Sequence, residues 1–114
     1  MIGSREVVLV NAPSVQRTRH YEGIPPFEDE PDCRTLMARA KIVVLRHQPD
    51  GFFLFRYTRT GQLVGDTCHA SREDALMQLD YEYPEALSAL RDATDGPSDD
   101  AELARLLCAN ASDA

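Results

Sequence analysis

The chain has 114 residues, a length that suits one domain and is too short for a TIM barrel or a two-domain enzyme. Hydrophobic residues make up 43% and charged residues 27% of it, which is typical of a globular rather than a disordered protein. Its 19 acidic residues outnumber its 12 basic ones and give a net charge of -7. This acidity argues against a general nucleic-acid binder, which needs a basic face to displace counterions.

The amino-terminal third combines one short strand with a proline-rich segment. Residues 6–10, EVVLV, form a β-branched run that predicts a first strand, without indicating which edge of a sheet it joins. Four prolines fall within residues 12–33, a density that excludes regular helix or sheet ladders. We predict a long loop or arm over 12–33, and its role stays open.

Residues 40–69 predict an antiparallel meander of three strands. Two turns, PDG and RTG, separate the runs AKIVVLRHQ, FFLFRYT and LVGDTCH, and each turn ends in a glycine suited to a left-handed bulge position. The equal spacing of the turns predicts a register with Leu45 opposite Phe55 and Tyr57 opposite Leu63.

Alternation along these strands sorts the side chains onto two faces of the meander. The predicted core face carries Val43, Leu45, His47, Phe53, Phe55, Tyr57, Leu63, Gly65 and Thr67. The other, mixed face carries Ile42, Val44, Arg46, Phe52, Leu54, Arg56, Val64, Asp66 and Cys68. An uncovered apolar patch of this size marks an interface, so we expect the C-terminal helices, the N-terminal arm or a second copy to cover it.

The region 71–108 predicts helices. Ser71 suits the N-cap of a first helix, whose apolar residues recur at helical spacing up to Pro84. A short helical stripe follows, and Ser98 suits the cap of a third segment. This order predicts a single α+β domain over 1–114, in which a three- to four-stranded antiparallel β-meander packs against a helix, with a C-terminal helical pair.

Residues 50–83 resemble a group of small bacterial proteins of uncharacterised function. In those proteins a strand-turn-strand unit ends in a G-D-T-x-H phrase, followed by a capped helix with D-A-x-x-Q and an acidic-aromatic end. The matching positions here are Gly65, Asp66, Thr67, His69, Asp74, Ala75, Gln78, Glu82 and Tyr83. Position 68 is Cys, where an aromatic such as Trp is expected. The resemblance implies the meander and its helix, and it implies no activity.

The cysteines and apolar runs bear on the compartment. Cys33, Cys68 and Cys108 form no C-x-x-C pair, so the sequence offers little support for a zinc site. An odd, sparse set suits a reducing cytoplasm better than a secreted disulfide scaffold. The start lacks a signal-peptide pattern, and the longest apolar runs fall short of the roughly 20 residues of a membrane span. We therefore expect a cytoplasmic protein without membrane contacts.

Cys68, His47 and His69 offer further candidate chemistry, with both histidines predicted on the core face of the sheet. Cys68 and His69 are adjacent, but neighbours in a strand point to opposite faces, so they do not form a nucleophile with its base. His47 and His69 lie on strands separated by a third, roughly 10 Å apart, which is wide for one metal ion. We expect no catalytic residue, no cofactor and no metal.

Arg46, Arg56 and Asp66 are the candidate binding residues. In the predicted register the carboxylate lies near both arginines on the mixed face. One interpretation is a structural row of ion pairs. The other is a binding surface on which the two guanidinium groups grip a carboxylate or a phosphate.

Charge is divided unevenly along the chain. Residues 34–65 carry six basic residues against one acidic, whereas residues 66–114 carry twelve acidic against three basic. This pattern indicates either a basic sheet that faces acidic helices within one molecule, or an acidic surface that attracts a basic partner.

We expect a non-enzymatic binding or regulatory protein that acts through protein–protein contacts, with another protein or with itself as a homodimer. No nucleic-acid partner is expected. One alternative is a small enzyme with an Arg/Asp or Cys site on the sheet. Another is an acidic inhibitor or immunity-type protein of a basic partner.

Overall fold

A computed structural model describes residues 3–10, 40–84 and 86–112, together with the short stretches 21–22 and 35–36. Most of the predicted proline-rich arm lies outside these residues. Its described part is a two-residue strand that pairs with another short strand in a separate antiparallel ladder.

The described strands form one five-stranded antiparallel sheet and one two-stranded ladder. In chain order they are β1 (Arg5–Leu9), β2 (Tyr21–Glu22), β3 (Thr35–Leu36), β4 (Ile42–Gln48), β5 (Gly51–Tyr57), β6 (Leu63–His69) and β7 (Arg91–Asp92). The large sheet has the order β6-β5-β4-β1-β7, so the first strand lies beside the first strand of the meander. This arrangement confirms the predicted α+β class, with five strands in the sheet instead of three or four.

The helices lie on opposite faces of this sheet. They are α1 (Arg72–Glu82), a 3-10 helix (Ala86–Ala89) and α2 (Asp100–Ser112). One core, beneath α1, contains Val8, Val43, Leu45, Leu54, Val64, Ala75 and Leu79. A second core, beneath α2, contains Val7, Ile42, Val44, Leu103, Ala104 and Cys108. Both faces of the central strands are therefore buried, and the helix that covers the second face is C-terminal, one of the three covers expected.

The predicted register between β4 and β5 is wrong by one residue. Gln48 lies opposite Gly51, and Val44 rather than Leu45 lies opposite Phe55. The turn holds two residues instead of three, because Gly51 pairs as the first residue of its strand with φ 148°. A slip of one residue moves alternate side chains to the other face, so the predicted composition of the two faces changes with it.

The register between β5 and β6 is correct at one end only. Tyr57 lies opposite Leu63, as predicted. An irregularity between Arg56 and Tyr57 then shifts the pairing, so that Phe55 lies opposite Asp66. As a result Asp66 lies with Phe55 on the α2 side of the sheet, whereas Arg56 belongs to the α1 side.

Both helices begin with a side-chain cap. The Ser71 hydroxyl accepts a hydrogen bond from the Asp74 backbone N–H at 3.1 Å, which confirms the predicted N-cap of α1. At α2 it is the Asp99 carboxylate, rather than the predicted Ser98 hydroxyl, that accepts from the Ala101 N–H at 3.1 Å.

The turn between β5 and β6 packs directly against α2 at Gly61. This residue has φ 89°, and a Cβ atom placed on it would lie 2.9 Å from the Ala101 carbonyl oxygen and 2.8 Å from the Arg105 guanidinium. The two backbones approach this closely because glycine has no side chain.

We expect Gly61→Ala to destabilise the protein more than Gly3→Ala does. Both positions have φ near +90°, so each substitution costs about 1–2 kcal/mol of backbone strain. A Cβ atom at Gly3 meets nothing within 4 Å, whereas at Gly61 it adds an overpacking cost of about 1–3 kcal/mol. Urea unfolding followed by circular dichroism compares the two variants, and equal losses would contradict the contact with α2.

Candidate interaction surface

Arg56, one of the three predicted binding residues, is fully buried beneath α1. Its Nε donates to Glu82 Oε1 at 2.8 Å, and its Nη2 donates to Thr67 Oγ1 at 3.1 Å. The Arg56 and Glu82 side chains are 1% and 2% exposed. This guanidinium therefore holds the helix to the sheet and is not offered to a ligand on the surface.

A polar network extends from this ion pair towards the rim of the sheet. The Gln78 amide donates to Glu82 Oε2 at 2.5 Å, and Thr67 Oγ1 shares a hydrogen bond of 2.8 Å with His69 Nε2. Burial and the Arg56 guanidinium lower the pKa of His69, which favours its neutral form. Thr67, His69, Gln78 and Glu82 all belong to the motif shared with the small bacterial proteins. Here they form a network around one buried arginine and help to pack α1 on the sheet.

We expect Glu82→Gln to cost about 3–5 kcal/mol of unfolding free energy, because it leaves the Arg56 charge buried without a counter-charge. Glu6→Gln is the matched control. It removes a carboxylate paired with the half-exposed Arg72, and we expect a cost within about 1 kcal/mol. Urea denaturation measures both, and similar losses in the two variants would contradict a structural role for the buried pair.

Arg46 lies on the opposite face, at the amino end of α2. Its Nε donates to Asp100 Oδ2 at 2.7 Å, and its Nη2 donates to the Ser98 carbonyl at 2.9 Å. The bond to Asp100 raises the pKa of Arg46. Asp100 also accepts from the buried Arg5, at 3.0 Å. One carboxylate between two guanidinium groups therefore fastens α2 to the sheet.

The structure does not bring the three predicted binding residues together. A carboxylate does bridge two arginines, yet the carboxylate is Asp100 instead of Asp66, and the second arginine is Arg5 instead of Arg56. The sequence missed this cluster because Asp100 resembles an ordinary first-turn helix acid. The only signal of its role is the uneven charge of sheet and helices.

Asp66, the third predicted residue, is exposed on the α2 side of β6, opposite Phe55. Beside it runs a column of aromatic side chains on β5. The Phe53 and Phe55 rings stack with centroids 5.8 Å apart and planes 9° apart. Phe55 and Tyr57 pack against the core beneath α2, whereas Phe53 is half-buried and belongs to neither core.

Helix α2 therefore covers β1 and β4 but leaves part of β5 and β6 open. The open part is an apolar patch around one carboxylate, with Leu63 at one end 44% exposed. We name it the aromatic edge surface and define it by Phe53, Phe55, Leu63, Asp66 and Cys68. The sequence did place the aromatic residues on one face, but the register error assigned that face to a closed core.

Strand β6 is also an edge of the large sheet, since β5 is the one strand of the described chain that pairs with it. Its outward backbone N–H and C=O groups are those of an unpaired edge. The edge at the other side, β7, has two residues, whereas β6 has seven.

Other candidate chemistry finds little support in the structure. The Cys68 thiol is exposed and free, and His69 points to the other side of the sheet, as predicted. His47 stacks on Phe52 with ring centroids 4.1 Å apart. In the described part of the chain no group of three His, Cys, Asp or Glu residues could hold a metal ion, and no helix there is long and apolar enough to cross a membrane.

No protein family, curated protein or solved structure matches this chain. Function is therefore inferred from the geometry of the sheet and its edge.

Tyr57 gives a measurable signature of the covered end of the aromatic column. Burial, and next the Asp100 carboxylate, raise the pKa of Tyr57 to about 12. In the unfolded chain a tyrosine ionises near pH 10, so the free energy of unfolding should fall as pH rises from about 10 towards about 12.

We expect Tyr57→Phe to flatten this loss of stability between about pH 10 and pH 12, because the variant lacks the hydroxyl group that the folded chain keeps protonated. Tyr81→Phe, at a position 54% exposed, is the control and should retain the loss. Urea unfolding at a series of pH values measures both, and an undiminished loss in Tyr57→Phe would contradict the described environment of Tyr57.

Proposed function

We propose that this protein is a non-enzymatic binding protein that acts through contacts with another protein, and that the aromatic edge surface is the contact region. The observation that carries the proposal is the half-open aromatic column beside the edge strand β6. Aromatic side chains are enriched in the cores of protein interfaces, and the half-buried Phe53 is available for such a contact. Leu63, 44% exposed, adds apolar area to the same surface.

The charged groups of the sheet support binding over catalysis. Arg5, Arg46 and Arg56 each donate to a buried carboxylate, so they are engaged in holding the helices. Cys68 and His69 diverge across the sheet, which separates a thiol from the nearest base in sequence. The alternative of a small enzyme therefore lacks convergent groups on the described sheet.

We also propose that the protein acts in the cytoplasm. The exposed free thiol of Cys68 supports this assignment, because such a group persists in a reducing environment. The alternative of an acidic inhibitor is a special case of the same function, in which the partner is basic, and the carboxylate of Asp66 within the surface favours it.

Site-specific photo-crosslinking in the native host tests the proposal. A benzoylphenylalanine probe replaces Phe53 or Leu63 in turn, and Met77, 71% exposed on α1, is replaced in the control. We expect one protein to be crosslinked from positions 53 and 63 and not from position 77.

A second change in the chain with the probe at position 53 adds specificity. We expect Leu63→Lys to reduce its adduct at least about fivefold, because a lysine disrupts an apolar contact. Leu87→Lys, at a position 40% exposed on the 3-10 helix, should leave the adduct unchanged. No adduct at all, or equal adducts from every position, would overturn the proposal.

A further inference from the structure

The edge of the sheet carries an inference about the kind of partner, which rests on the proposed function. We infer that the partner docks as an extended strand along β6 and places a Lys or Arg side chain opposite Asp66.

The backbone of β6 is suited to strand addition. An added strand completes the hydrogen bonds of a sheet edge, and pockets for alternate side chains then provide specificity. Six of the seven residues of β6 pair with β5, and Val64, which is left out of this pairing, anchors the strand in the core beneath α1 with 4% exposure. The edge is therefore ordered before any partner arrives, which lowers the entropic cost of binding.

Asp66 gives this edge its charge. It is exposed and forms no ion pair within the described part of the chain, where Arg46 and Arg56, the two arginines predicted beside it, are engaged by Asp100 and Glu82. A residue of opposite charge directly across from it on an antiparallel strand is stabilising, whereas a like charge is destabilising. A basic residue at that position is therefore favoured.

A second copy of the chain fits this edge poorly. Asp66 is the central residue of Leu63–His69, so antiparallel pairing of the whole strand with its own copy places the two Asp66 carboxylates opposite each other. Both copies also carry a net charge of -7. The same carboxylate that favours a basic strand thus opposes the homodimer expected from the sequence.

The alternation of the sheet predicts the pattern of the partner strand. Its residue opposite Asp66 lies on the α2 side, and so do its residues two positions before and after. Those two lie close to Cys68 and Leu63, next to the ends of the aromatic column. Apolar side chains suit both places, so the favoured pattern is apolar-x-Lys/Arg-x-apolar.

Two designed β-hairpin peptides, closed by an Asn-Gly turn, test the inference on the full-length, isotope-labelled protein. They are identical except that the edge strand carries Lys or Glu at its centre, with Val two residues to either side. We expect the Lys hairpin to shift the amide resonances of β6 and to bind at least about threefold more tightly than the Glu hairpin.

Charge reversal tests the location of the contact. We expect Asp66→Lys to reverse the preference between the hairpins. Asp80→Lys, an equal change of charge at an exposed position of α1, should leave the preference as it is. An unchanged preference in Asp66→Lys, reversal in both variants, or binding of neither hairpin would overturn the inference.

The outcomes separate this inference from the proposed function. Crosslinking of a cellular protein from positions 53 and 63, without hairpin binding at β6, would retain the protein–protein function and reject the basic strand. A missing crosslink would reject the function, and with it the inference. Sedimentation that shows a dimer, dissociated by Leu63→Lys, would assign the surface to a second copy and overturn the basic partner.

Discussion

Arg56 lies beneath α1 with its guanidinium bound to Glu82, and both side chains are at most 2% exposed. A buried charge without its partner is strongly destabilising, so β5 has to deliver Arg56 to the α1 side. Because neighbouring residues of a strand alternate, this requirement also sends Phe53 and Phe55 to the opposite side. One ion pair therefore requires a particular side of the sheet for each residue of β5, and with it the position of the aromatic column.

A second ion-pair cluster holds α2 to the sheet, as the pair of Arg56 and Glu82 holds α1. Asp100 at the start of α2 binds Arg5 and Arg46, which lie opposite each other on neighbouring strands. The uneven charge of the chain has a structural use here, since acidic side chains of each helix meet arginines of the sheet. Two of the four basic residues of the meander, Arg46 and Arg56, form ion pairs with these helices.

Local features of the fold could be predicted from the sequence, because local chemistry decides them. Ser71 caps a helix through its own hydroxyl, and Pro84 limits that helix through its missing N–H. The register between β4 and β5 could not be predicted, because Gly51 suits a loop position and the first position of a strand equally well. That difference of one residue put Arg46 on the side opposite Arg56 and moved the aromatic residues of β5 out of the predicted core. The separate irregularity between Arg56 and Tyr57 put Asp66 on the side opposite Arg56 as well.

The partners of the charged side chains were also beyond sequence reasoning. Arg5 and Asp100 are 95 residues apart, and nothing local distinguishes Asp100 from the acid beside it, Asp99. Only the path of the chain brings the two groups together. The same holds for the network around Arg56, whose members come from two strands and a helix.

The ion pairs of the arginines explain why the open surface is apolar with a single negative charge. With Arg46 and Arg56 engaged elsewhere, Asp66 is the charged residue left among the aromatic and aliphatic groups of the edge. Natural edge strands commonly carry a charge that prevents pairing with copies of themselves. Such a charge discriminates between partners by sign, because it opposes an acidic or identical strand and attracts a basic one. The Asp66 carboxylate, which opposes pairing with a copy of the chain, is thus also sufficient to favour a basic strand as the partner of this edge.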